Sequence, residues 1–228
     1  MVTVISLGGS IIAPESADSA FLRDFTEIIR GLLQEDGSRR FIFVVGGGGP
    51  ARAWQNAYRE VAGGAFIDDE ADWIGIMATR LNAQLVKALM AEWCDRAVVT
   101  DPTQAEPLTG KVLVAAGWKP GFSSDNDAVL LAERFGAKTV VNLSNIEKIY
   151  TGDPKKDPSA RPLDSVSWAD FRSIVGDEWV PGKNVPFDPV ASRRASQIGL
   201  RVICAAGRDL DNLKNIIRGE KFTGTTIS

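Results

Sequence analysis

Five apolar residues in a row, FIFVV at 41–45, stop at four consecutive glycines, Gly46–Gly49, and the chain continues as PAR. An unbroken apolar run of this length reads as a strand covered on both faces. Glycine weakens helices and strands alike, so four in succession mark a loop whose backbone must approach something closely. One or two glycines satisfy a plain strand-to-helix turn. Four leave exposed amides on which a phosphate group can rest. The pattern occurs twice, because VTVIS at 2–6 runs through Leu7 into Gly8-Gly9-Ser10.

The rest of the chain alternates between two periods. FLRDFTEIIRGLLQE at 21–35 carries apolar residues at helical spacing and is closed by Gly37. Further helices are expected over 50–61 and 69–93, with strands at RAVVT (96–100) and VLVAA (112–116). A helix over 125–135 precedes the strand KTVVNL (138–143). Helices over 167–175, 189–198 and 209–218 surround the strand LRVICAA (200–206), and the closing TGTTIS reads as an edge strand. Such alternation implies a mainly parallel sheet with helices on both faces. The polar stretch TGDPKKDPSARPLD at 151–164 is either an exposed connection or a ligand-covering loop. Ligands of these sheets collect beyond the carboxyl ends of the strands, which makes the loops after strands the informative ones.

Composition removes several kinds of chemistry. The 228 residues contain no histidine, which excludes Ser-His triads, Cys-His dyads and His-ligated zinc. Cys94 and Cys204 each lie beside apolar residues and read as two buried free thiols. A formal net charge of −3 gives no general basic field for nucleic acid or an anionic membrane. No apolar run reaches the length of a membrane span, and Met1 leads into VTVISL without a signal-peptide pattern, so a cytoplasmic protein is expected.

Six stretches carry candidate chemistry. The amides of Gly8 to Ser10 and of Gly46 to Gly49 can cradle phosphate oxygens, and Arg52, one turn into the following helix, adds a fork of donors. Neither loop is a Walker A or a GxGxxG sequence, and a plain βα turn accounts for either one taken singly. PGFSSDNDAVLLAE (120–133) places Ser123, Ser124, Asp125 and Asp127 at a helix start, where capping accounts for one of them. VVNLSNIEKIYTGDPKKDP (140–158) offers Ser144, Asn145, Tyr150 and Asp153, and an exposed turn accounts for its lysines but less well for the Ser-Asn pair. In DWIGIMATRLNAQLVKALM (72–90), Ile74, Met77, Leu81, Leu85 and Leu89 form the stripe of a core or subunit-facing helix, while Asp72 is free to meet ribose hydroxyls. WVPGKNVPFDP (179–189) adds Lys183, and Asp188 as a natural helix cap.

Taken in order, VISLGGS, VVGGGGPAR, DWIGIMATRLNA, PGFSSD, NLSNIEKIYTGDPKKDP, FDPVAS and GTTI resemble the amino-acid kinase superfamily, and within it the uridylate (UMP) kinases of the archaeal type. The resemblance runs nearly end to end. It implies a single three-layer α/β/α domain, with an acceptor lobe over about 1–137 and an ATP lobe over about 138–228. It implies transfer of the ATP γ-phosphoryl group to UMP with Mg²⁺, in a homo-oligomer, commonly a hexamer. By position, Gly9, Ser10, Gly48 and Arg52 would meet ATP phosphates, and Ser144, Asn145, Tyr150 and Asp153 the adenosine. Gly47, Asp72 and the loop Trp118, Lys119, Pro120, Gly121, Phe122, Ser123, Ser124 would hold UMP. Asp125 would act at the reacting centre. Many members carry a lysine where this chain has Ser6, so the neutralising cation would be Arg52, Lys119 or Lys183. The same fold also serves kinases of other small carboxylates or phosphomonoesters, and silent nucleotide-binding or storage proteins.

Overall fold

The computed structural model describes residues 1–154, 156–176 and 185–228. The chain runs β1 (Val2–Leu7), α1 (Gly9–Ile12), α2 (Ser19–Glu35), β2 (Arg40–Val45), α3 (Gly48–Ala62) and α4 (Asp68–Leu89). Then follow β3 (Val112–Ala115), α5 (Ser124–Arg134), β4 (Thr139–Ser144), β5 (Ile149–Tyr150), β6 (Pro162–Leu163) and β7 (Ser165–Val166). The last elements are α6 (Trp168–Val175), α7 (Pro189–Gln197), β8 (Arg201–Ala206), α8 (Leu210–Arg218) and β9 (Thr225–Ile227).

Seven strands form one sheet in the order β3-β2-β1-β4-β8-β9-β7, and β5 pairs with β6 as a separate hairpin. Strands β3, β2, β1, β4 and β8 run parallel to one another. The strand order reverses beside β1: the chain first builds outward through β2 and β3, then returns to place β4 on the other side. A crevice opens at such a point, beyond the carboxyl ends of the strands.

The apolar strands supply two cores at once. Alternate residues Ile5, Leu7, Phe41, Phe43 and Val45 face a layer made by α2, α4 and α8, including Phe25, Ile29, Val86 and Leu213. Their neighbours Val4, Ile42 and Val44 face α5, α6 and α7 through Leu131, Phe171 and Ala195. Continuous burial of FIFVV follows from this sandwich, since a strand covered on both sides has no polar face. Phe25 meets Phe43 edge-on with centroids 5.3 Å apart, a geometry worth about 1 kcal/mol beyond area burial. Asp18, Ser167 and Asp209 cap α2, α6 and α8 through their side chains, which fixes where those helices begin.

Two expectations change. RAVVT (96–100) forms no strand; only Val99 bridges to Ala115. The Asp101 side chain accepts from the Thr103 amide at 2.9 Å and draws the chain into a turn before a ladder can extend. The closing TGTTIS is not an edge: β9 lies inside the sheet, antiparallel to β8 and parallel to β7, which takes the edge. Thr225 is buried there, accepting from the Ile149 amide and donating to the Leu163 carbonyl. The polar stretch after residue 150 returns to pair Tyr150 with Pro162.

Candidate active site

The two glycine loops meet each other. Gly8 follows β1, donates its amide to the Leu143 carbonyl at 2.9 Å, and so sits against the end of β4. Gly46 follows β2 and donates to the Leu7 carbonyl at 3.0 Å. A Cβ on Gly9 would stand 2.1 Å from the Gly48 nitrogen, and one on Gly49 2.1 Å from the Pro14 oxygen. Gly48 itself has φ +67°, a region open to glycine at little cost. The glycine run therefore has a structural cause beside any ligand: backbone packs on backbone at the crevice. Helix α3 starts here with no side-chain cap and no acidic residue in its first turn; Gly49 donates to the Ala13 carbonyl at 2.8 Å and Pro50 has no N–H, so the Gly47 and Gly48 amides are the ones left to meet an anion.

Beside these loops lies a cleft of about 320 Å³ whose walls include Gly47, Gly48, Arg52, Asp72, Phe122 and Ser123. Gly121 and Ser124 also reach it. Asp72, in the second turn of α4, accepts from the Gly121 amide at 3.0 Å, so it ties the following loop to the cleft. Trp118, Lys119 and Pro120 are not among the walls. Trp118 packs edge-on against Phe122 at 4.7 Å, and the Lys119 ammonium sits 4.0 Å from the Trp118 centroid. Ser123 caps α5 by accepting from the Asn126 amide at 3.2 Å, as capping chemistry foresees.

Asp125 occupies the first turn of α5 and points to the end of β1. It accepts from the Ser6 hydroxyl and from the Asp188 amide, both at 3.2 Å. Burial, followed by the negative charge of Asp188, pushes its carboxyl up to about 7. Asp188 caps α7 by accepting from the Ala191 amide at 2.8 Å.

Residues of α4 that sequence reasoning passed over hold the whole assembly. Asn82, which is buried, donates to the Gly46 and Gly47 carbonyls at 2.9 and 3.0 Å. Thr79 accepts from the Gly117 amide at 2.8 Å, and Arg80 donates to the Trp118 carbonyl at 3.0 Å. The available signal was their spacing: three polar residues on one side of a helix whose other side is apolar.

Ser144, Asn145, Tyr150 and Asp153 do not line this cleft. They follow β4, whose Ser144 Cα would lie 3.6 Å from a Cβ on Gly8, so they adjoin the glycine loops from the other side. The Ser144 hydroxyl accepts from the Ile146 amide at 3.2 Å, Tyr150 is half-buried in β5, and Asn145 and Asp153 are exposed. Ser10 is half-buried in α1. Lys183 lies outside the described residues. A larger cavity, about 460 Å³, lies between Thr151, Ser167 and Ser228 and includes none of the candidate residues. Among the described residues no group of three acidic or thiol side chains could hold a metal, and no helix is long and apolar enough to cross a membrane.

A parallel sheet with anion-accommodating glycine loops at its switch point defines a phosphate-handling α/β protein of the three-layer kind. More narrowly, the chain belongs to the amino acid kinase family, whose model matches residues 1–205. A uridylate kinase of Methanospirillum hungatei is 35% identical over 230 residues, covering 99% of this chain and 94% of that protein. A uridylate kinase of Pyrococcus abyssi is 33% identical over 232 residues, covering 100% and 99%. The crystal structure of a uridylate kinase from Archaeoglobus fulgidus matches with TM-score 0.85 at 32% identity over 100% of both chains. A UMP kinase from Bacillus anthracis, at 19% identity and TM-score 0.77, shares the fold.

Proposed function

We propose that this protein is an ATP-dependent UMP kinase catalysing ATP + UMP → ADP + UDP. The observation that carries the reading is full-length likeness to archaeal uridylate kinases at 31 to 35% identity. The cleft supports it: glycine-loop amides, an arginine and an acidic residue surround a volume suited to a nucleoside monophosphate.

In this reading Gly47, Asp72 and the loop from Trp118 to Ser124 hold UMP, with Asp72 available to ribose hydroxyls. Trp118, Lys119 and Pro120 act from behind the wall made by Gly121 to Ser124. Gly9, Ser10, Gly48 and Arg52 receive the ATP phosphates, and Ser144, Asn145, Tyr150 and Asp153 receive its adenosine. The acceptor lobe is then about 1–137 and the ATP lobe about 138–228. The two nucleotides meet head to head where the glycine loops touch, so that no side chain separates them.

The acceptor is a phosphate oxygen, already anionic, so the reaction asks for alignment and charge neutralisation more than for a base. The absence of histidine agrees with that demand. Ser6 supplies no charge, and Arg52 is the described cation on the cleft wall, donating to the Pro14 carbonyl at 3.3 Å. We assign Arg52 to neutralising the transferred group, and Asp125 to fixing the end of β1 against α5 and α7. Mg²⁺ would be carried on the nucleotide phosphates in such a reaction and would neutralise their charge.

The protein also pairs with copies of itself in this reading. Met77 and Leu81 on α4 are 57% and 71% exposed, which leaves subunit contact rather than core as the use of that apolar stripe. Coupled ADP release with Mg-ATP and, separately, UMP, CMP, dUMP and glutamate tests the function. Turnover with UMP is expected, and folded protein that leaves UMP untouched would overturn the reading.

A further inference from the structure

Asp127 has no part in the roles assigned so far, yet it is the least comfortable side chain in the fold. It has no solvent exposure, and its Oδ2 accepts from the Trp118 amide at 3.2 Å. Its Oδ1 is the one buried side-chain nitrogen or oxygen among the described residues that has no hydrogen-bond partner. The other charges acting on it are those of Asp125 on its own helix and Asp101 in the turn after Val99, both negative. Burial above all, with those two charges adding to it, pushes the Asp127 carboxyl up to about 7 against the opposing pull of the Trp118 hydrogen bond. Ala128, Val129, Leu131 and Ala132 beside it are all buried. An apolar side chain of similar size would fit this helix at lower cost than a half-satisfied carboxyl.

Stability therefore does not account for the residue, but its one bond does. Trp118 opens the loop that runs to Ser124. Its amide is held by Asp127 from α5 and its carbonyl by Arg80 from α4. The preceding amide, Gly117, is held by Thr79. The Gly117–Trp118 peptide is thus held from two helices, at its amide by Asp127 and at its carbonyl by Arg80, whose Nε donates to the Gly117 oxygen at 3.4 Å.

We propose that Asp127 is a positioning residue for the acceptor: by fixing the Trp118 peptide between α5 and α4, it sets the path of the loop that meets UMP. The proposal rests on the assignment of residues 118–124 to the acceptor. Functional sites commonly keep an unfavourable group of this kind, and its removal then raises stability while lowering function.

The test compares the wild-type chain with Asp127→Val and Asp127→Asn, with Asp127→Ala as the substitute should valine overfill the position. Asp127→Val should melt at a higher temperature than wild type while its KM for UMP rises roughly tenfold, the loss of one hydrogen bond to a charged group. Its KM for ATP should change less than about twofold, which a general structural defect would not spare. Asp127→Asn keeps an acceptor oxygen for Trp118 and should restore the UMP KM. Amide exchange over residues 117–123 should quicken in Asp127→Val (or Asp127→Ala) and not in Asp127→Asn. Unchanged exchange overturns the proposal, as does a rise in the ATP KM equal to that for UMP. Failure of the wild type to use UMP would instead overturn the acceptor assignment, and the exchange measurement still decides whether Asp127 holds the loop.

Discussion

The two sides of the glycine junction are built differently. On the side we assign to the acceptor, Asp72, Thr79, Arg80, Asn82 and Asp127 all bond to loop backbone, and Asp72 and Thr79 also line the cleft. On the other side, Asn145 and Asp153 are exposed, Tyr150 is half-buried and the Ser144 hydroxyl is turned to its own loop, and none of these four lines the cleft beside Gly47 and Gly48. In that assignment the acceptor site is held by side chains of α4 and α5, and we predict that it is assembled before any ligand arrives. The difference teaches where binding costs fall, since fixed loops leave less ordering to do on binding.

The strongest way to break this contrast is at the junction itself. Gly9→Ala places a methyl group 2.1 Å from the Gly48 nitrogen, so both sides should fail together. Turnover should drop by roughly 100-fold or more, as misplacement of reacting groups by about 1 Å implies, and the melting temperature should fall by several degrees, roughly 5 to 10 °C. Wild-type turnover in Gly9→Ala would show that the loops are not in contact.

A sharper comparison sets Asn82→Ala against Asn145→Ala. Asn82 donates to two carbonyls in a buried setting, so its loss should cost about 2 to 4 kcal/mol of stability and a drop in kcat readable in the coupled assay. Asn145 is exposed, and Asn145→Ala should stay within about 0.5 kcal/mol in thermal unfolding while raising only the KM for ATP.

Acid titration probes the junction through Asp125. The Asp125 carboxyl stands at about 7 in the folded chain against an ordinary value of 3.8. Between those values the folded state holds the extra proton, so this group's share of stability is full at low pH and is lost as pH rises from about 4 to about 7. The melting temperature of Asp125→Asn, compared with wild type at each pH, should therefore gain on it across that window and level off above it. A gain of the same size at pH 4 and pH 8 would contradict the raised value. The smallest effect belongs to Asp153→Ala: its ion pair with Lys156 is 3.9 Å long and exposed, and such pairs contribute at most about 1 kcal/mol. Its melting temperature should match wild type within about 1 °C, with only the KM for ATP altered.

Much of this was legible in the sequence because it was written in period and punctuation. FIFVV before Gly46 to Gly49 gave strand, loop and crevice together, and alternation gave the parallel sheet. The stripe through Met77 and Leu81 gave an apolar helix face, although only its exposure separates subunit contact from core. RAVVT misled because its apolar residues carry β propensity while Asp101 competes for the backbone just beyond it. The closing TGTTIS was misplaced because the strand that takes the edge beside it, β7, lies far back in the chain, before α6. Asn82 was passed over, and Asp127 was read only as one of several polar residues at a helix start, because only the loop packed against each reveals what it bonds. The glycine run was read as space for a ligand, and its first duty, letting two loops touch, needed both loops in view.

The most direct measurement is a calorimetric titration of the protein with UMP alone, without ATP. A preassembled acceptor side should bind one UMP per chain, saturably, and Asp72→Ala should weaken that binding. No binding until ATP or an analogue is present would contradict a preassembled acceptor site.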